Sequence, residues 1–194
     1  PLDETNYYNP EILITKTKGI YVWAKGDKTP YIDLLMGYSS TNFGHVNDNI
    51  LKIVLEAVRN YDNITSFNSV DKIQLTKKLI DLLPFPGDQL VYYPVGGTKA
   101  IDAAIKLARA YTKKDIVISF DGAFHGYSYA GMMVTDKHFV EKSQFGFKKD
   151  NISFEFPNIK DASSDLDSKR ILNQIDSYLK DNSQNVAAIL FEPI

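Results

Sequence analysis

"VYYPVGGTKAIDAAIKLARAY", residues 91–111, changes its pattern twice. A short apolar run (Val91, Tyr92, Tyr93) meets Pro94, passes through Gly96 and Gly97, and becomes a helical pattern with Ala100, Ile101, Ala104, Ile105 and Ala108 on one face. The order strand, glycine loop, helix is that of an anion site. The first N–H groups of a helix lack internal partners and carry the positive end of its dipole, and glycines let the backbone close on a phosphate with no Cβ in the way. Neither familiar phosphate loop fits: the form G-x-x-x-x-G-K-[ST] is absent, and G-x-G-x-x-G needs spaced glycines where these are adjacent. On this stretch alone, an ordinary strand-to-helix turn is an equal reading.

Downstream, Ile116 to Phe120 is a continuous apolar run of the kind buried on both faces in a parallel sheet, and "DGAFHG" turns out of its carboxyl end. "NISFEF" from Asn151 predicts another strand, Ser168 to Leu179 a helix, and Val186 to Phe191 a further strand ending in "FEPI". Alternating strands and helices predict an α/β fold, a mostly parallel sheet with helices on both faces. Ligands of such sheets sit beyond the carboxyl ends of strands, which is where the glycine loop, "DGAFHG" and "FEPI" all fall.

Upstream, residues 1–17 read as an arm containing Pro10, and "GIYVWAKGDKTPYIDL" as a hairpin turning at Gly26 and Asp27. A loop rich in Gly, Ser and Asn leads to a helix near Asn49–Tyr61, with Ile50, Ile53, Val54, Ala57 and Val58 on one face. A second helix, Val70 to Leu83, turns Ile73, Leu79, Ile80 and Leu83 inward and ends at Pro84 and Pro86. Both are read as packing helices. The expected organisation is an arm and hairpin over 1–45 and the first part of a large domain over 46–194.

Composition narrows the function. With 194 residues, 22 Lys and Arg against 24 Asp and Glu, and no long run of one sign, nothing favours nucleic acid or an anionic membrane surface. Absence of cysteine excludes disulfides and thiolate chemistry and fits a cytoplasmic protein. The three histidines lack metal-ligand spacing. No apolar run reaches the length of a membrane span. "NVAAILFEPI" stops on an apolar strand without a closing element, so the chain is expected to be part of a longer protein.

A phosphate loop beside an exposed aromatic at a neighbouring strand end suits a flat phosphorylated cofactor. Phe124 offers a stacking face, the helix starting near Thr98 a phosphate cradle, and His125 a hydrogen-bonding group. The alternatives are a core Phe under a loop and a His that bonds the backbone. Glu192, at a strand end, orients cofactor or substrate, or is a surface carboxylate.

Taken together, "GGTKAIDAAIKLARAYT", "ISFDGAFHGYSYAGMMVT", "GIYVWAKGDKTPYIDL", "TNFGH" and "FEPI" resemble the class III (ω-) aminotransferases, pyridoxal-phosphate enzymes of fold type I, in order and spacing along nearly the whole chain. The resemblance implies pyridoxal 5'-phosphate as cofactor, its phosphate held by the backbone of Gly97 and Thr98 with Gly96, its ring stacked on Phe124 and flanked by His125, and Glu192 shaping the pocket. It implies Tyr7 and Tyr38 as substrate-facing aromatics, an amino donor of ornithine or diaminobutyrate type, a 2-oxo acid acceptor and a homodimer. Gly96 and Lys99 depart from the family's Ser-Gly-x-Glu, and a lysine in a first helical turn opposes the dipole unless an anion compensates. The family's ring-nitrogen aspartate and Schiff-base lysine lie downstream of the "EP" motif, so residues 1–194 alone are expected to be inactive. A fold type I aminomutase or epimerase, a non-catalytic homologue, and a self-contained phosphate-binding domain are the competing readings.

Overall fold

The computed structural model describes residues 12–62, 64, 67–83, 85–136, 142–147, 151–157 and 164–193. The chain clusters into two compact units, Pro1–Val91 and Tyr92–Ile194.

The first unit opens with an antiparallel sheet of β1 (Ile14–Lys18), β2 (Tyr21–Ala24) and β3 (Tyr31–Ile32) in the order β1-β2-β3. The expected hairpin is β2 and β3. Its partner β1 falls in the stretch read as an arm, where the alternation in Ile-Thr-Lys-Thr-Lys is too polar to signal burial, and four of its five residues are exposed. Two helices follow. In α1 (Asp48–Asn60), Asn47 caps the start by accepting from the N–H groups of Asn49 and Ile50, and Arg59 sits in the last turn. In α2 (Val70–Leu82), the Ser69 hydroxyl accepts from the Lys72 N–H at 3.1 Å. Neither helix buries a residue. Ile53 and Val58 on the apolar face of α1 are 67% and 62% exposed, and on α2 only Leu79 and Ile80 of the expected inward set are half-buried while Ile73 and Leu83 are exposed. Among the described residues of this unit Ala24 is the one buried side chain, so these helices have no core to join there.

The second unit is a parallel three-stranded sheet of β4 (Ile116–Phe120), β5 (Asn151–Phe154) and β6 (Val186–Ile189), with β4 in the middle. Helix α3 (Gly97–Thr112) and the short α4 (Tyr129–Val134) cover one face, where Ile105, Val117, Met133 and Val134 form a buried cluster. Helix α5 (Ser164–Asn182) covers the other, with Phe120, Ile171 and Ile175. Val117 and Phe120 differ in parity along β4 and so point to opposite faces. That explains why the run from Ile116 is apolar throughout: both faces are covered. The expected α/β architecture is therefore present in this unit.

Two further expectations need correction, and one helix was not foreseen. Val91 to Tyr93 form no strand: Leu90, Tyr92 and Val95 are exposed, no described strand pairs with them, and Pro94 lacks the N–H a ladder needs. The inner face of α3 is rotated from the purely apolar stripe. Ile101, Ile105 and Ala108 turn inward, but Thr98, Asp102 and Arg109 join them while Ala100 and Ala104 face out, because the polar three have partners on the inner side. Helix α4 leaves no periodic signal in the sequence, since its six residues are shorter than two helical periods; the Ser128 hydroxyl caps it by accepting from the Gly131 N–H. Among the described residues no helix is long and apolar enough to cross a membrane.

Candidate active site

Helix α3 begins at two glycines. Gly96, the N-cap residue, has φ +95°, a conformation that side chains rarely adopt, and it supplies no side-chain cap. The first intrahelical bond runs from the Ala100 N–H to the Gly96 carbonyl at 3.2 Å, leaving the N–H groups of Gly97, Thr98 and Lys99 ahead of the helical ladder. A Cβ on Gly97 would meet nothing within 4 Å, so the end of the helix is open for an anion.

The turn after β4 meets that helix end. Gly126 has φ +107°, and a Cβ there would collide with Thr98 Oγ1, so the "DGAFHG" turn packs directly against the first turn of α3. Asp102, one turn further, takes the Ser128 hydroxyl and lies 3.3 Å from Lys99 Nζ. Burial works to raise the Asp102 pKa, but the Ser128 hydroxyl and Lys99 ammonium outweigh it and hold the carboxyl below its ordinary value. Lys99 therefore has a carboxylate partner, which offsets its unfavourable place in the first turn.

Phe124 is 37% exposed and meets Tyr127 edge to face, with ring centroids 5.0 Å apart. Its backbone N–H donates to Glu192 Oε2 at 3.0 Å, so the "EP" carboxylate holds the aromatic's main chain. His125 is 6% exposed, and its Nε2 has no hydrogen-bond partner among the described residues. Burial pushes the His125 pKa below the ordinary imidazole value and the nearby Glu192 carboxylate only partly restores it, so this imidazole is neutral near pH 7. Asp121, Gly122, Ala123, Phe156 and Glu192 line a cleft of about 210 Å³ at the carboxyl ends of the three strands.

The structure thus brings together Gly96, Gly97, Thr98, Phe124, His125 and Glu192 in one unit. Tyr38 belongs to the first unit, 72% exposed on a turn where Met36, Gly37, Tyr38 and Ser39 all have positive φ. The Asp33 carboxylate holds that turn, accepting from Leu35 and Met36 N–H groups at 2.9 and 3.0 Å, with His45 Nε2 2.7 Å away. Tyr7 lies outside the described residues. Sequence reading missed Asp102, Ser128, Thr135 and Asp136, whose partners lie 9 to 26 positions away and leave no periodic signal.

The residues fit a phosphorylated aromatic cofactor on three observations: an uncapped helix start opened by glycines, a half-exposed ring on the turn packed against it, and a buried imidazole nitrogen left unpaired among the described residues.

Comparison with known proteins points the same way. The chain is 28% identical over 181 residues to the acetylornithine aminotransferase of Listeria innocua, covering 93% of this chain and 42% of that protein. It is 31% identical over 132 residues to the isoleucine 2-epimerase of Lentilactobacillus buchneri, covering 67% and 29%. The taurine:2-oxoglutarate aminotransferase of Bifidobacterium kashiwanohense, solved with PLP and glutamate, superposes with a TM-score of 0.87 at 25% identity, covering 96% of this chain and 44% of that one. This chain therefore spans less than half the length of these relatives. The fold is that of a partial fold type I transaminase domain. The family is pyridoxal-phosphate-dependent. Its profile, Aminotransferase class-III, matches residues 3–194, and the chain belongs to that family.

Proposed function

We propose that the whole protein is a pyridoxal-phosphate-dependent aminotransferase that moves an amino group, commonly a terminal one, from an ornithine- or diaminobutyrate-like donor to a 2-oxo acid. The observation that carries this reading is the contact of Thr98 with Gly126, which sets a helix N-terminus suited to phosphate beside an aromatic suited to a flat ring. The N–H groups of Gly97 and Thr98, with the Gly96 turn, donate to the phosphate. Phe124 presses on the ring, His125 flanks it as a neutral imidazole, and Glu192 keeps the Phe124 backbone in place. When bound, the cofactor supplies the electron sink for the substrate carbon. Tyr38 and Tyr7 are the proposed substrate-facing aromatics. We place the arm and hairpin in residues 1–45 and the start of the cofactor domain in 46–194, with the Schiff-base lysine beyond Ile194, in a cytoplasmic homodimer.

Similarity to the isoleucine 2-epimerase supports a second reading, an epimerase or aminomutase on the same fold. Product analysis separates the two. Amino transfer consumes a 2-oxo acid, returning an oxo product from the donor and a new amino acid from the acceptor. Isomerisation returns a product of unchanged mass with no acceptor consumed. The natural full-length protein, incubated with cofactor, ω-amino donors and 2-oxoglutarate, is expected to form glutamate in step with loss of donor. Racemisation or amino-group migration without glutamate would assign the second reading.

A further inference from the structure

The turn that carries Phe124 is held from an unexpected place. All four backbone N–H groups from Gly122 to His125 find acceptors: Gly122 donates to Asp136 Oδ2, Ala123 to the Phe120 carbonyl at 3.3 Å, Phe124 to Glu192 Oε2 at 3.0 Å, and His125 to Thr135 Oγ1 at 2.9 Å. Two adjacent residues, Thr135 and Asp136, therefore grip both ends of the turn. The Asp136 N–H returns to the Ala123 carbonyl at 2.8 Å, and the Thr135 hydroxyl donates to the Gly131 carbonyl at 2.9 Å, tying the grip to α4.

These residues lie deep: Thr135 is 0% and Asp136 5% exposed. A carboxylate in that position is costly unless a counter-charge and hydrogen bonds compensate it. Lys142, half-buried at the start of the 3-10 turn Lys142–Phe145, donates to the Met133 carbonyl at 3.1 Å. Burial draws the Lys142 pKa down, and attraction to Asp136 partly opposes that fall. Packing alone would be served by an apolar residue at 136; a charged acceptor aimed at a glycine N–H serves to fix backbone geometry.

We propose that Asp136 is a positioning residue that sets the Asp121–Gly126 turn and so the pose of the Phe124 ring. Its effect on the turn stands by itself; its effect on cofactor rests on the function proposed above.

The test uses the natural full-length protein and reads two signals. Amide hydrogen exchange in the cofactor-free form is expected to quicken at least tenfold at Gly122 and Ala123 in Asp136→Asn, with Ile171 and Ile175 of α5 unchanged. Retention of pyridoxal phosphate under dialysis is expected to shorten about tenfold in Asp136→Asn, and by less than twofold when the same change is made in a Phe124→Leu background, because coupled sites are non-additive. If Asp136→Asn does not fold, Asp136→Glu, which keeps the charge but moves the acceptor off the Gly122 N–H, carries both readouts. Unchanged exchange at the turn, quickening that spreads equally to α5, or retention losses that multiply with Phe124→Leu would each overturn the proposal. A wild type that never holds the cofactor would sink the functional reading, while the exchange signal would still decide this one.

Discussion

At Gly97 two requirements on one residue pull apart. It occupies the first helical position, where an added Cβ would have no neighbour within 4 Å, so alanine there improves helix propensity by a few tenths to about 1 kcal/mol. A helical Cβ tilts toward the N-terminus, however, which is where the phosphate would sit in the function proposed above. Gly97→Ala is therefore expected to raise the melting temperature slightly while weakening cofactor retention about tenfold, checked by calorimetry and dialysis on the same sample. A gain in both would remove the phosphate from this helix end. His125 carries a pH prediction. Its folded pKa is held down by burial, so on acidification the unfolded chain takes up the proton first, near the ordinary value of about 6.5, and the folded chain only at lower pH. Its contribution to stability is complete above that value and is lost as pH falls below it. Denaturant titrations from pH 7.5 to 5 should show this slope, and His125→Asn should flatten it.

At the scale of elements, the end of α3 makes a further prediction. Lys113 closes the helix in the left-handed region at φ +60°, its N–H donating to the Arg109 carbonyl at 2.9 Å. Glycine adopts that conformation without a Cβ penalty, so Lys113→Gly is expected to stabilise the protein by about 1 kcal/mol, measured by urea unfolding. Elements were legible where burial is two-sided or periodic: β4 reads directly from Ile116 to Phe120 because α3 and α5 cover both its faces. Val91 to Tyr93 misled because a strand is made by its neighbour, and no described strand pairs with that run. The α3 stripe misled because Asp102 and Arg109 face inward to Ser128 and Met133, pairings that apolar periodicity does not count. Of the proposed site, the glycines, Phe124, His125 and Glu192 were named from strand ends and family resemblance, and the structure places all of them in one unit. Thr135 and Asp136 were not: they act through a few hydrogen bonds to a turn 9 to 14 positions earlier, which leave no periodic signal.

For the whole molecule, the two units contrast. The second has clusters on both faces of its sheet, whereas the described part of the first leaves Ile53, Val58, Phe67 and Val70 mostly exposed. In the proposed homodimer, association would cover such exposed apolar side chains. In the function proposed above, this chain contributes the phosphate and ring-stacking half of a cofactor site whose covalent half lies elsewhere in the protein. The intact mass of the naturally encoded protein, before and after borohydride reduction with pyridoxal phosphate, decides this. The expected result is a mass well above that of residues 1–194 and one reduced cofactor per subunit, fixed on a lysine beyond Ile194. A full-length protein that never fixes the cofactor, or fixes it on Lys99 or Lys142, would contradict it.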